Sequence, residues 1–224
     1  QIISSLGRKE EIREFLENIR TDPQFAFDSP DELLDGYRKI LEKDIEPKLP
    51  SIVLHVPKLK IQIKPSLEDE GTAAFYIAGS HDGSRPGICY INVTDYKSQP
   101  KFEMVALALH EGNPGHHLQS THLLEMEGLP AFRRYLEDRQ YGIMPSRFTF
   151  YTAYIEGWGL YSERLGDDLH LYDDPYMKFG MLSMDALRAS RLVVDTGLHA
   201  FGWAPEKAVN FMLAHTAASK RTCE

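Results

Sequence analysis

Cysteine is nearly absent from this chain. Only Cys89 and Cys223 occur in 224 residues, far apart and with no CxxC pair. That pattern excludes a disulfide framework and a thiolate zinc site, leaving room for one bridge at most. No apolar run approaches the roughly 20 residues that span a bilayer. No signal-peptide pattern opens the chain, which begins at Gln1 instead of Met. A soluble protein without a membrane span is expected, met as a processed form or a fragment, and its compartment and oligomeric state stay open. Long basic clusters are missing and the net charge is −8, which argues against nucleic acid as a partner. Internal repeats and low-complexity segments are missing too. One glycosylation-type triplet, Asn92-Val93-Thr94, lies in an expected strand.

What is present reads as one domain over residues 1–224, long enough to bury a substantial core. Ile12, Phe15, Leu16 and Ile19 recur at helical spacing. Ser29-Pro30-Asp31-Glu32 is a helix start, with serine as N-cap, proline at the first helical position and glutamate three residues after the cap. Leu33, Tyr37, Ile40 and Leu41 form the stripe that follows, until Pro47 and Pro50 end it. Leu59, Ile61 and Ile63 then alternate with polar residues, the mark of a half-buried strand. Two more strands are expected at 74–78 and 88–93, joined by a Gly-rich loop. The block at about 52–93 reads as a small antiparallel sheet between helices, with Pro57 weakening its first strand. Helices are expected from Pro100, over 131–140, 147–165 and 175–199, and from Pro205. The fold class is mainly α (α+β).

The chemistry concentrates in His110-Glu-Gly-Asn-Pro-Gly-His-His117. Three histidines and one carboxylate follow a helix that is apolar all round, and such helices are buried. A buried charge needs a partner, and a metal ion is one. The familiar zinc pattern is His-Glu-x-x-His on one helix face, but here Pro114 stands four residues after His110. On a straight helix His116 would sit about 120° around from His110, and His117 about 10 Å further along the axis. A bulged turn over Gly112–Gly115 would bring His116 back to the second-ligand position, since proline and glycine deform helices. The plain alternative is a capped helix end with surface histidines.

A catalytic zinc takes three protein ligands and keeps one position open. Glu156, which interrupts an apolar helix beside Gly157 and Gly159, is the candidate third ligand. Glu163 is its rival, or else a supporting or surface group. Asp195 and His199, four residues apart, form a candidate hydrogen-bonded pair in which His199 could donate to an oxyanion. A surface ion pair is the alternative. Arg85 in the loop could meet a substrate carboxylate or simply be solvated. His55, His81, His122, His170 and His215 read as ordinary. A di-iron bundle would need Glu-x-x-His pairs, which the chain lacks.

Three stretches resemble the DUF885 family: His110 to Gln119, Glu156-Gly-Trp-Gly-Leu-Tyr-Ser-Glu163, and Asp195-Thr-Gly-Leu-His-Ala-Phe-Gly-Trp203. Gly79-Ser-His-Asp-Gly-Ser-Arg-Pro-Gly87 and Tyr90-Ile-Asn92 are similar to it as well, so most of residues 30–215 is covered. The family is similar to the gluzincin metallopeptidases, in which a distant Glu follows His-Glu-x-x-His. The resemblance implies a helical gluzincin-like catalytic domain whose small sheet takes an extended peptide at its edge. It implies Zn2+ as cofactor and a peptide or other small amide as substrate. His110, one of His116 and His117, and Glu156 would be metal ligands, with Glu111 the general base and His199 a transition-state stabiliser. Of the two histidines, His116 is preferred, because deleting two residues restores the standard spacing. Family members are longer on both sides, which implies a fragment of a longer protein. The other readings are a zinc hydrolase of a non-peptide amide or ester, and an inactive truncated pseudo-enzyme acting as a binding module.

Overall fold

The computed structural model describes residues 2–68, 71–134 and 152–224. Helices α1 (Ile2–Ser5), α2 (Ile12–Thr21) and α3 (Pro30–Lys39) precede a sheet of β1 (Ile61–Ser66), β2 (Ala74–Ile77) and β3 (Gly87–Asn92). Then come α4 (Met104–Glu111), α5 (His116–Glu125), α6 (Ala131–Arg134), α7 (Thr152–Asp168), α8 (Pro175–His199), α9 (Pro205–His215) and α10 (Lys220–Cys223). The fold is mainly α with one small sheet. Residues 135–151, which carry the rest of the expected 131–140 helix and the start of the 147–165 helix, lie outside the described residues.

α3 begins as its residues predict. Ser29 Oγ accepts the Glu32 backbone N–H at 3.1 Å, Glu32 Oε2 accepts the Asp28 N–H at 2.7 Å, and Pro30 occupies the first helical position. The helix runs on as a wider turn over Ile40–Ile45 that buries Leu41 and Ile45. In α2, Phe15, Leu16 and Ile19 are buried, whereas Ile12 is exposed.

The sheet corrects the expectation of an antiparallel arrangement. β3 lies between the other two strands, antiparallel to β2 and parallel to β1. The geometry explains this. β1 and β2 run in opposite directions without pairing, and β3, returning from β2, is inserted between them, so it must run parallel to β1. As an edge strand, β1 tolerates Pro65. Pro57 falls before its first residue. β3 is buried along almost all its length, while no strand among the described residues pairs with the outer edge of β2.

α4 is the buried axis of the molecule. Every residue from Met104 to Glu111 except Leu107 is buried. One core unites α3 and the turn after it, β2, β3, α4 and α8, through Leu33, Tyr37, Ile45, Ile91, Leu109 and Met181. A second cluster ties α2 to α8 through aromatic edges, with Phe15 and Phe102 standing 5.0 and 5.3 Å from Phe179. Because α4 is clamped on all sides, whatever its C-terminal end carries is presented at a fixed place.

Candidate metal centre

That end carries His110 and Glu111. The helix stops at Gly112, whose N–H still bonds to the Ala108 carbonyl at 2.9 Å, and α5 begins afresh at His116. Between them the Asn113–Pro114 peptide is cis. The break is held from above by Trp158, whose Nε1–H donates to the carbonyls of Pro114 at 2.8 Å and Gly115 at 3.2 Å. Any side chain at Gly115 would run into the backbone carbonyls of Leu109 and His110, so only glycine lets the chain fold back here. The two helix ends consequently bring the rings of His110 and His116 edge to face, with centroids 4.6 Å apart.

α7 supplies the carboxylates. Glu156 Oε2 is 3.3 Å from His110 Nε2, and its Oε1 is 3.7 Å from His116 Nε2. Two turns further along α7, the fully buried Glu163 holds His110 Nδ1 at 2.7 Å. Glycine at 159 is required between them, because a Cβ there would lie 2.6 Å from the His110 ring. Arg188 of α8 closes the network, its Nη2 2.9 Å from Glu163 Oε1. Tyr172 adds a hydrogen bond from its hydroxyl to the Glu163 carbonyl at 2.7 Å. Glu163 orients His110 and fixes the role of Nδ1, as carboxylates behind metal-binding histidines do.

The titration behaviour follows from this packing. Burial opposes protonation of His110, but Glu156 and Glu163 outweigh it and raise its pKa to about 9. Burial, with the nearby His110 charge, lowers His116 to about 4. Burial pushes Glu111 up to about 7, against the pull of His110. A buried carboxyl near neutrality is suited to general-base work.

The donor set fits a metal ion. Two ligand atoms each about 2.0 Å from one tetrahedral ion stand about 3.3 Å apart, as His110 Nε2 and Glu156 Oε2 do. His110, Glu111 and His116 also offer ligand atoms that all lie within 4.8 Å of one another. Two carboxylates therefore compete for the third position. Glu156 is favoured because it approaches both imidazoles, whereas Glu111 is the buried residue with the raised pKa.

The structure brings His110, Glu111, His116 and Glu156 together. His117 points elsewhere: its Nδ1 meets the Tyr76 hydroxyl at 3.0 Å and its Nε2 the Leu59 carbonyl at 3.0 Å, binding α5 to the sheet. His199 is not brought to the cluster. Its side chain is 78% exposed, pairs with an equally open Asp195 at 3.6 Å, and is absent from the cavity wall. The oxyanion role expected for His199 therefore has no geometric support here, since its side chain stands in solvent on α8. Arg188 and Trp158 were not singled out from the residues. The recurrence of Arg188 with Arg191 along α8 was the available signal for the first, and its position between two glycines for the second.

A cavity of about 810 Å³ opens beside the cluster. Its walls include the edge strand β2 from Ala74 to Tyr76, the cluster residues, and Met184, Leu187, Arg188 and Arg191 of α8. Among the described residues no helix is long and apolar enough to cross a membrane.

A family model described as a bacterial protein of unknown function matches residues 1–224. No curated protein matches the chain. A solved structure, described as a putative lipoprotein from Colwellia psychrerythraea, is similar with 31% identity and a TM-score of 0.83, covering 99% of this chain. The chain spans 37% of that protein's length.

Proposed function

The chain belongs to the DUF885 family, and on that premise we propose that it is the catalytic part of a zinc-dependent metallopeptidase. The observation that carries this reading is the convergence of His110, His116 and Glu156 around the raised carboxyl of Glu111. His110, His116 and Glu156 would hold the ion. Zinc, when bound, supplies Lewis acidity that acidifies water and polarises a carbonyl.

The chain's own residues do the rest. Glu111 takes a proton from water as the water oxygen attacks the carbonyl carbon, then hands it to the amide nitrogen as the C–N bond breaks. Glu163 and Arg188 keep His110 in one orientation throughout. The outer edge of β2, which no strand among the described residues covers, lies on the cavity wall and offers backbone groups to an extended peptide, which favours a peptide over a compact amide.

Metal analysis and peptide cleavage on the same preparations test this. One zinc per chain is expected in the wild type and in Glu111→Gln, and little in His110→Ala. Glu111→Gln should lose at least about 100-fold in turnover. Full turnover by the metal-loaded Glu111→Gln protein would sink the base assignment.

A further inference from the structure

We propose that the cavity takes a substrate with a free carboxylate one residue beyond the bond to be cut, the carboxyl end of a peptide, and that Arg191 holds that carboxylate. This rests on the hydrolytic reading above.

The chain is acidic overall, at −8, yet its cavity is furnished with arginine. Arg85, Arg134, Arg188, Arg191 and Arg221 all line it, and no lysine does. Arginine presents a planar fork that matches a carboxylate with two parallel hydrogen bonds, which lysine cannot do. Three of the five have partners. Arg188 is held by Glu163, Arg221 meets Asp95 at 3.1 Å, and Arg134 donates to the Leu124 carbonyl at 2.5 Å. Neither Arg85 nor Arg191 forms a side-chain hydrogen bond or ion pair among the described residues.

Position separates those two. Met184, Leu187, Arg188 and Arg191 follow the 3–4 spacing of one helix face, and all four line the cavity. Arg188 lies 3.2 Å from His110 Nδ1, so this face of α8 passes directly behind the cluster. Arg191, three residues on, is about 4.5 Å further along the axis. Its guanidinium lies within electrostatic reach of Glu156 and Arg188. One residue of extended chain covers about 3.5 Å. A substrate with its carbonyl at the His110–His116–Glu156 cluster would carry the next residue's carboxylate along the cavity wall that Arg191 lines, close enough to Glu156 for the two side chains to interact. Arg85 comes instead from the loop between β2 and β3, away from the α8 face that meets His110.

Binding to the zinc-loaded Glu111→Gln protein, which should hold peptides without cutting them, tests the proposal by calorimetry. The probes are acetyl-trialanine and its C-terminal amide. The free acid should bind about 10- to 100-fold more tightly, the span that one charge-assisted hydrogen-bonded pair brings. Adding Arg191→Met should reduce that preference to about one without weakening the amide. Arg191→Lys should restore part of it. Equal binding of acid and amide, or a preference that survives Arg191→Met, overturns the assignment. A preference that depends on Arg191 in a protein whose wild type cleaves neither peptide would keep the carboxylate site and remove the hydrolytic reading.

Discussion

Two of the histidine–carboxylate pairs on this molecule differ in almost everything except chemistry. His110 and Glu163 come from different helices, are 2% and 0% exposed, and meet at 2.7 Å. Asp195 and His199 are neighbours on one helix, are 75% and 78% exposed, and stand 3.6 Å apart. A single stripe of α8 serves both, since Arg188 reaches the first pair and Asp195 and His199 continue the same spacing into solvent. Water competes for the exposed pair and screens it, so such pairs contribute little. The buried pair is cut off from water, so its members depend on each other and on the few groups packed around them. What makes a histidine–carboxylate pair a site is the wall around it.

The largest effect should come from breaking the buried pair. Glu163→Ala takes the buried carboxylate from His110 and from the half-buried Arg188, which should cost about 3 kcal/mol in urea unfolding. Zinc affinity should fall about 10- to 100-fold. A stable variant with unchanged affinity would mean that Glu163 only fills space.

A third carboxyl sharpens the comparison through pH. Glu103 accepts from Ser183 Oγ at 2.8 Å, and burial pushes its pKa up to about 7 from 4.5. A carboxyl raised on folding stabilises the fold fully below about 4.5, and that contribution is lost as pH rises through about 7. The wild type should therefore lose on the order of 2 kcal/mol from this group over that window, its partial exposure being discounted. Glu103→Gln should flatten the profile in unfolding measured at pH 5 and pH 8. An identical slope in both proteins would show that Glu103 titrates normally.

The smallest effect belongs to the open pair. Asp195→Asn and His199→Ala should leave both the unfolding midpoint and zinc affinity within experimental error. A tenfold change in affinity from either would erase the contrast.

The two pairs also mark how far residues alone could be read. His110 and Glu111 were legible as buried polar groups because α4 is apolar on every side, a property of composition. The choice between His116 and His117 was not, since it depends on where the Gly-Pro-Gly break sends the chain. The outcome turned on Tyr76 and the Leu59 carbonyl, residues some 40 and 58 positions away, which hold His117 against the sheet. Glu163 looked like a rival ligand or a surface group because its partner Arg188 lies 25 positions on. Asp195–His199 stayed open between a catalytic pair and a surface ion pair for the opposite reason: i,i+4 spacing is plain in any helix, but burial is decided by what packs on it. Strand direction failed likewise, since alternation reveals a strand and not its neighbour.

The break at Gly112–Gly115 bears on how such centres are recognised. A motif counted in residues is a contour length, whereas donor atoms answer to separation in space. Here six positions of chain deliver two imidazoles whose centroids lie 4.6 Å apart, because a turn and not a helical pitch sets the interval. Turns vary in length more readily than helices vary in pitch. A chain with a turn of another length but the same two helix ends would escape the same residue-counting ruler.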